Sequence, residues 1–363
     1  MQKILTYITG ALLLSTLFFH PSCNKSILPE EDPIEKKIEI QLKVLQLNIW
    51  MEGTVVPDGL SGIVDIIDQI DPDIVLLCEI RNNNNIPFIP KLITRLDRKG
   101  KPYYFGDSKG DNGILSKYKL KDVEQRHSMT KASCEIEGQT FVVYSAHLDA
   151  SHYECYLPRG YSGTTWKKLE GGPITDANYI YEANMVSSRD EAIDKFVADA
   201  QKEIIKGNIV IMGGDLNEPS HLDWQENTKN LWDHNGVVID WYCSSRMIKS
   251  GYKDSYREIY PDPVRYPGFT FPSANKHVTD WQLAWAPEAD ERDRIDFIYY
   301  YPNPLLKLTD ARIVGPSGTV YYGKTGPHDA DDIFIEPKGI WPTDHKGNLA
   351  TFTISLQPQA KKK

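Results

Sequence analysis

The run IEIQLKVLQLNIW, from Ile38 to Trp50, alternates apolar and polar residues and then turns wholly apolar, as a strand entering a core does. LSGIVDIIDQI has helical spacing and stops at Asp71-Pro72. DIVLLCEIR predicts a second buried strand, and IPFIPKLITRLDRKG a helix closed by Gly100. Short strand-like pieces follow: PYYFG, NGILSKYKL and QTFVVYSAHLDAS. From 151 to 186 the pattern dissolves into Tyr, Gly and Pro, which predicts a long inserted loop. Ser188 and Glu191 have the spacing of a capping box, and Ala192, Phe196, Ala200 and Ile204 then recur every fourth residue until Gly207. NIVIMGGDLN is the next strand. Residues 221–290 are irregular and aromatic, and RIDFIYYYP and NLATFTISL read as closing strands. Strands alternating with helices, with hairpin-like pairs among them, predict an α/β fold with mixed sheets.

Length and charge narrow the picture. A chain of 363 residues holds one large domain or two modest ones. A net charge of −9 gives no general attraction to a phosphate backbone, so long nucleic acid is not the default ligand. The first 22 residues, with Lys3 ahead of an apolar run to Phe19, read as an export signal too short for a comfortable membrane span. They resemble a bacterial lipoprotein signal, with Cys23 as the lipidated residue and 23–37 as a polar tether. A plain signal peptide or a single anchor helix are the alternatives. The expected location is the periplasm or the cell surface, with membrane association through Cys23. Cys78, Cys134, Cys155 and Cys243 fit no zinc spacing. Cys78 and Cys134 read as core thiols, whereas Cys155 and Cys243 could pair in an oxidising compartment.

The chemistry sits where apolar runs stop. Asn48 ends the first strand, Glu79 the second, His147 and Asp149 another, and Asp215 and Asn217 the next. Asp296 lies inside RIDFIYY, and Asp344-His345 precede the last strand. Residues two apart on a strand face the same way, so Glu79 with Arg81, His147 with Asp149, and Asp215 with Asn217 each project together. Taken singly, each has an ordinary explanation: a turn, a cap, a satisfied core histidine, or for Asp296 an ion pair with Arg292 or Arg294. Taken jointly, so many buried carboxylates and amides require a metal or a dense hydrogen-bond network to offset several kcal/mol each.

LNIW, LLCEIR, NGILSKYKL, YSAHLDAS, GGDLNEP, RIDFIYY and PTDHKG occur in the order found in the endonuclease/exonuclease/phosphatase superfamily, which the chain resembles over about residues 38–357. The resemblance implies a four-layer α/β/β/α sandwich of two mixed sheets packed face to face, with helices outside. The aromatic stretches near 151–186 and 221–290 would be insertions in it. It also implies metal-dependent phosphoester hydrolysis, usually with Mg2+, although Mn2+ or Ca2+ would serve similar ligands. Glu79 would be the principal ligand, with Asn48 nearby and Asp344 contributing. Asp215 and Asn217 would hold the attacking water or a phosphate oxygen. His147 would bind the phosphate or assist the leaving group. His345 would act at the reacting phosphate, oriented by Asp296. Arg81, Asn112 and Asp149 are candidate substrate contacts.

A family resemblance fixes the reaction better than the substrate. The acidic balance favours a small or lipid-derived phosphoester over the alternative of an extracellular nuclease. A non-catalytic surface protein binding a glycan or phosphorylated ligand is a third reading, and the intact set of motif residues speaks against it. The inserted tyrosines could stack on rings or form loop core. Arg159, Lys167 and Lys168 are candidates for gripping a second phosphate.

Overall fold

The computed structural model describes residues 38–106 and 110–356; the expected signal peptide and tether lie outside the described residues. In chain order the strands are β1 Ile38–Asn48, β2 Ile74–Cys78, β3 Tyr104–Phe105, β4 Asn112–Ser116, β5 Lys121–Arg126, β6 Met129–Ile136, β7 Gln139–His147, β8 Ile209–Asp215, β9 Lys253–Asp254, β10 Asp296–Tyr300, β11 Leu306–Val314, β12 Thr319–Tyr321, β13 Lys324–Gly326, β14 Phe334–Ile335 and β15 Gly347–Leu356. The helices are α1 Gly59–Ile70, α2 Phe88–Arg98, α3 Ala177–Asn184, α4 Arg189–Ile205, α5 Tyr242–Lys249, α6 Ser255–Ile259 and α7 Asp280–Leu283.

The strands build a seven-stranded sheet, β14-β11-β15-β1-β2-β4-β3, and a six-stranded sheet, β5-β6-β7-β8-β10-β9. Both are mixed: β1 is parallel to β2 but antiparallel to β15, and β8 is parallel to β7 but antiparallel to β10. Leu42, Val44, Ile74 and Leu76 of the first sheet share one core with Phe141, Val143, Ile209 and Ile211 of the second, so the sheets pack face to face. The outer face of the first sheet is covered by α1 and α2, through Ile63, Ile67, Leu92 and Leu96. The outer face of the second is covered by α4 and α5, through Ile193, Phe196, Cys243 and Met247. The result is the expected four-layer α/β/β/α sandwich. The glycines before Asp215 follow from this packing. A side chain on Gly214 would meet the Ala146 carbonyl oxygen at 2.1 Å, and one on Gly213 would meet Leu76 of the facing sheet at 2.9 Å.

Some local expectations change. α4 begins where predicted, but Ser188 makes no side-chain cap; Asp149 instead accepts hydrogen bonds from the Ser188 backbone N–H and hydroxyl. Both "irregular" stretches contain short helices, and together they bury a core of their own, with Tyr153, Tyr156, Tyr161 and Ile180 from the first and Trp224, Trp241 and Phe271 from the second. Cys78, Cys134, Cys155 and Cys243 are all free and buried, so Cys155 and Cys243 do not pair.

Candidate active site

Strand register brings the strand-end residues together. Asn48 pairs with Cys78 across β1 and β2, which sets Glu79 one step beyond. His147 lies opposite Asp215 across β7 and β8, and Asp296 lies opposite the same Asp215 across β8 and β10. Asp344 and His345 immediately precede β15. One end of both sheets therefore carries all of these groups. A slip of one residue in any of these pairings would turn its side chain to the other face.

Asp296 and His345 form a buried pair in the site. The His345 ring shares a 2.8 Å hydrogen bond between Nδ1 and Asp296 Oδ2, and Asp296 Oδ1 accepts from Gln46 Nε2 at 2.7 Å. Arg294 pairs with Asp223 and Asp254, and Arg292 with Asp290, which leaves Asp296 to the histidine. Burial opposes a charge on His345, but Asp296, Asp215 and Asp344 outweigh it and raise its pKa to about 10. His345 Nε2 lies 3.8 Å from Asp215 Oδ2. Burial, and next the neighbouring Asp296 charge, hold the Asp215 carboxyl above the usual range. Asp215 Oδ1 accepts from the Asn217 N–H at 2.8 Å, while the Asn217 side chain donates to the Leu148 carbonyl.

His147 is the second imidazole. Its Nδ1 is 2.7 Å from Asp111 Oδ2, and its Nε2 is 3.8 Å from Asp215 Oδ2. Burial again opposes the charge, yet Asp111 and Asp215 raise its pKa above the ordinary value. Asp111 also pairs with Arg81, which reaches Glu79 at 3.3 Å. Asn48 is fully buried and bridges the acids: its Nδ2 donates to Asp215 Oδ2 at 3.0 Å and to Glu79 Oε1 at 3.2 Å, and its Oδ1 accepts from the Trp50 N–H.

A cleft of about 310 Å³ opens over this end of the sheets, lined by Glu79, Arg81, Asn217, Asp344 and His345 on one side and by Trp50, Tyr153, Trp166, Phe271 and Trp285 on another. Asp344 is buried, and its pKa is pushed up to about 7 by burial and then by Glu79, against the opposing pull of His345; the Thr343 hydroxyl donates to its carboxylate at 3.3 Å. Two acids facing an open cleft with lone pairs to spare are the hard oxygen donors a divalent cation prefers. Asp215, Asp296 and His345 also hold ligand atoms within 4.8 Å of one another. That trio suits a metal less well, because both Asp296 oxygens and His345 Nδ1 are already engaged in hydrogen bonds.

The three candidate substrate contacts separate. Arg81 lines the cleft, with its charge committed to two acids. Asn112 is buried away from the cleft lining; its Nδ2 donates to the Ser128 carbonyl, which also receives the His147 N–H, so it steadies the strand end that presents His147. Asp149 is turned toward Ser151 and the start of α4. Arg159 is withdrawn altogether: it is buried against Asp293 and the Cys155 and Arg292 carbonyls. Lys168 pairs with Glu288 at the surface.

Several contributors were not picked out in the sequence. Gln46 shares the Asn48 face of β1 two residues earlier, a period-two signal that was available. Asp111 stands next to Asn112 but carries no pattern of its own. Glu52 sits among three consecutive left-handed residues, Trp50, Met51 and Glu52, and its carboxylate accepts from the backbone N–H groups of Arg81 and Asn82 at 2.9 and 2.5 Å. It thereby pins the loop in which Glu79 itself takes a left-handed φ of 67°. Such conformations are costly and persist where surrounding contacts enforce them.

This sandwich, with acids, amides and two carboxylate-held imidazoles gathered at the ends of its sheets, defines a phosphoesterase-type scaffold. The chain belongs to the endonuclease/exonuclease/phosphatase family, whose model matches residues 45–345. Members of that family are in general metal-dependent hydrolases of phosphoester bonds. An uncharacterized protein of Caenorhabditis elegans, F14F9.5, is 27% identical over 325 residues, covering 86% of this chain and 91% of that protein. Among solved structures, truncated Caenorhabditis elegans TDP2 is similar with a TM-score of 0.47 and 16% identity, covering 86% of this chain and 98% of that one. The human Nocturnin catalytic domain, with bound sulfate, has a TM-score of 0.47 and 15% identity, covering 87% and 97%.

Proposed function

We propose that the protein is a metal-dependent phosphoesterase acting on a small or lipid-derived phosphoester. The observation that carries this reading is the cleft's composition: acids and a charged imidazole at its base, aromatic side chains along its wall, and one Arg or Lys, Arg81, already paired with two carboxylates. A polyanion would meet no uncommitted basic side chain in that lining.

Glu79 and Asp344 would hold the cation, Mg2+ by its preference for hard oxygen donors, with Asn48 bridging Glu79 to Asp215. The bound ion would neutralise charge on phosphate oxygens. His345, kept protonated by Asp296, donates from Nε2 to a phosphate oxygen. Asp215, its carboxyl raised toward neutrality, takes a proton from the attacking water at Oδ2. His147, held by Asp111, donates to the departing oxygen. Asp296 and Asp111 touch no substrate and act by holding their imidazoles. An export signal over residues 1–22, with a lipid anchor at Cys23, would place this activity in the periplasm or at the cell surface.

The test is a substrate screen of the purified protein, with Mg2+ and with EDTA, against bis(4-nitrophenyl) phosphate, inositol phosphates, sphingomyelin and DNA. Metal-dependent cleavage of a small or lipid-derived ester, abolished in His345→Ala, is the expected result. A clear preference for DNA would establish the nuclease reading instead.

A further inference from the structure

Two tryptophans of the cleft, Trp166 half-buried and Trp285 exposed, belong to neither the sheets nor the covering helices. Trp166 comes from the insertion after β7, and Trp285 from the insertion before β10. Their rings meet at 5.4 Å between centroids, inclined by 53°, and both line the cleft. Tyr153 backs Trp166 at 5.8 Å, and Phe271 carries the aromatic surface to His345 at 4.9 Å. Trp285 keeps 47% of its surface exposed although it packs beside other rings. Arg81 is the single Lys or Arg in the lining and is paired with Glu79 and Asp111, so the lining offers no uncommitted Lys or Arg to a second anionic group.

One buried acid fixes this arrangement. Glu291 Oε2 accepts from the Tyr156 hydroxyl at 2.5 Å and from the Trp285 and Ala286 N–H groups at 3.0 Å each. Tyr156 in turn packs edge-on against Trp166 at 5.5 Å. Glu291 thus ties the backbone that carries Trp285 to the ring that braces Trp166.

We propose that Trp166 and Trp285, with Tyr153, form a subsite for an uncharged six-membered ring on the organic part of the phosphoester, and that Glu291 is the positioning residue that holds its two walls. The inference rests on the phosphoesterase reading and names the substrate feature that reading leaves open. Rings of two kinds satisfy it, a planar aryl or base ring and a pyranose presenting its C–H face, because both offer a flat apolar surface to an indole.

Isothermal calorimetry on the Mg2+-loaded protein tests this with methyl, hexyl and phenyl phosphate and glucose 1-phosphate, each carrying one phosphate. At least one ring phosphate should bind about tenfold more tightly than methyl phosphate, with the better of the two telling the planar ring from the pyranose. Trp285→Ala should remove that advantage while leaving methyl phosphate affinity unchanged, and because Trp285 is half exposed the variant should fold. Glu291→Ala should do the same, and Glu291→Gln, which keeps an acceptor, should restore it. Equal affinity for ring and methyl phosphates, or a hexyl gain as large as the ring gain, would overturn the subsite while leaving the phosphoesterase reading intact. Failure of methyl phosphate itself to bind would overturn both.

Discussion

Asp296→Asn isolates the charge that sustains His345. The His345 pKa rises from 6.5 to about 10, a gap of about 3.5 units, or about 5 kcal/mol at 1.36 kcal/mol per unit. Asp296 is the largest favourable cause, at 2.8 Å. A unit charge pair at that separation is worth about 6 kcal/mol at an effective dielectric constant of about 20, the same order as the whole shift. Neutralising it should return the His345 pKa by at least about 2 units. The substituted amide can keep its carbonyl on Gln46 and turn its NH2 toward Nδ1, which leaves a proton on Nε2. The ring would still donate to phosphate, but as a neutral group. Turnover should fall about 10²–10³-fold, as when one preorganised donor is weakened. The alkaline limb of the pH–rate profile should move from near pH 10 toward neutrality. Imidazole NMR titration of the metal-free protein measures the pKa directly. A native His345 titrating near 6.5, or the same value in wild type and variant, would refute the reasoning.

Three other perturbations separate site from scaffold. Glu79→Gln removes one of the two carboxylates facing the cleft, so Mg2+ affinity by calorimetry should drop at least about tenfold and EDTA-sensitive turnover should disappear, with the melting temperature little changed; retained Mg2+ affinity would show that the cation is held elsewhere. Arg159→Met strands the buried Asp293 carboxylate, which keeps a hydrogen bond from Trp224, and should cost about 3–5 kcal/mol in urea denaturation, partly recovered in Arg159→Met/Asp293→Asn; a loss under about 1 kcal/mol would contradict it. Lys346 is fully buried, and burial lowers its pKa from 10.5 to about 7. Between those values the unfolded chain holds a proton the folded chain lacks, so this group makes stability rise with pH across the window, by up to about 1.4 kcal/mol per unit. Lys346→Met should be the more stable protein at pH 7 and lose that lead progressively as the pH rises toward 10.5; stability curves that run parallel would exclude the effect.

Strands such as β1, β2, β7 and β8 and the helices α1, α2 and α4 were legible because each buries an apolar face or run, whereas α5 lay within a stretch that reads as irregular. α1 shows it in Ile63, Ile66, Ile67 and Ile70, and β8 in a run of unbroken burial. The site residues were legible for the opposite reason, since Asn48, Glu79, His147 and Asp215 interrupt those periods at strand ends. What stayed hidden is set by contacts between distant segments. Gln46 reads as the polar half of an alternation until Asp296 is placed 2.7 Å from it. Arg159 reads as a surface cation until Asp293, far along the chain, encloses it. β6 and β11 were missed because their polar residues, such as Lys131 and Asp310, blur the alternation that neighbouring strands show; Lys131 is nonetheless buried against Asp199 and Glu203.

The two insertions divide the labour of this protein physically. The acids and imidazoles are fixed by strand register and cross-sheet hydrogen bonds, including Gln46 to Asp296 and the Ser145 hydroxyl to the Leu77 carbonyl. The aromatic wall is fixed by a separate core drawn from the insertions, by the Arg159–Asp293 pair and by Glu291. The two systems meet along the second insertion, where Phe271 packs against His345, the Thr270 hydroxyl accepts from the Ile295 and Asp296 N–H groups, the Ser273 N–H donates to the Asp344 carbonyl, and the Asn275 side chain donates to the Thr343 carbonyl. Side chains on the insertion surface can therefore change without moving the acids and imidazoles, because the register that sets them does not pass through the insertions. A change inside the insertion core is different. It reaches the acids and imidazoles through Thr270, Phe271 and Ser273, so an Arg159 variant should raise KM for a ring-bearing substrate at temperatures where the sandwich itself remains folded.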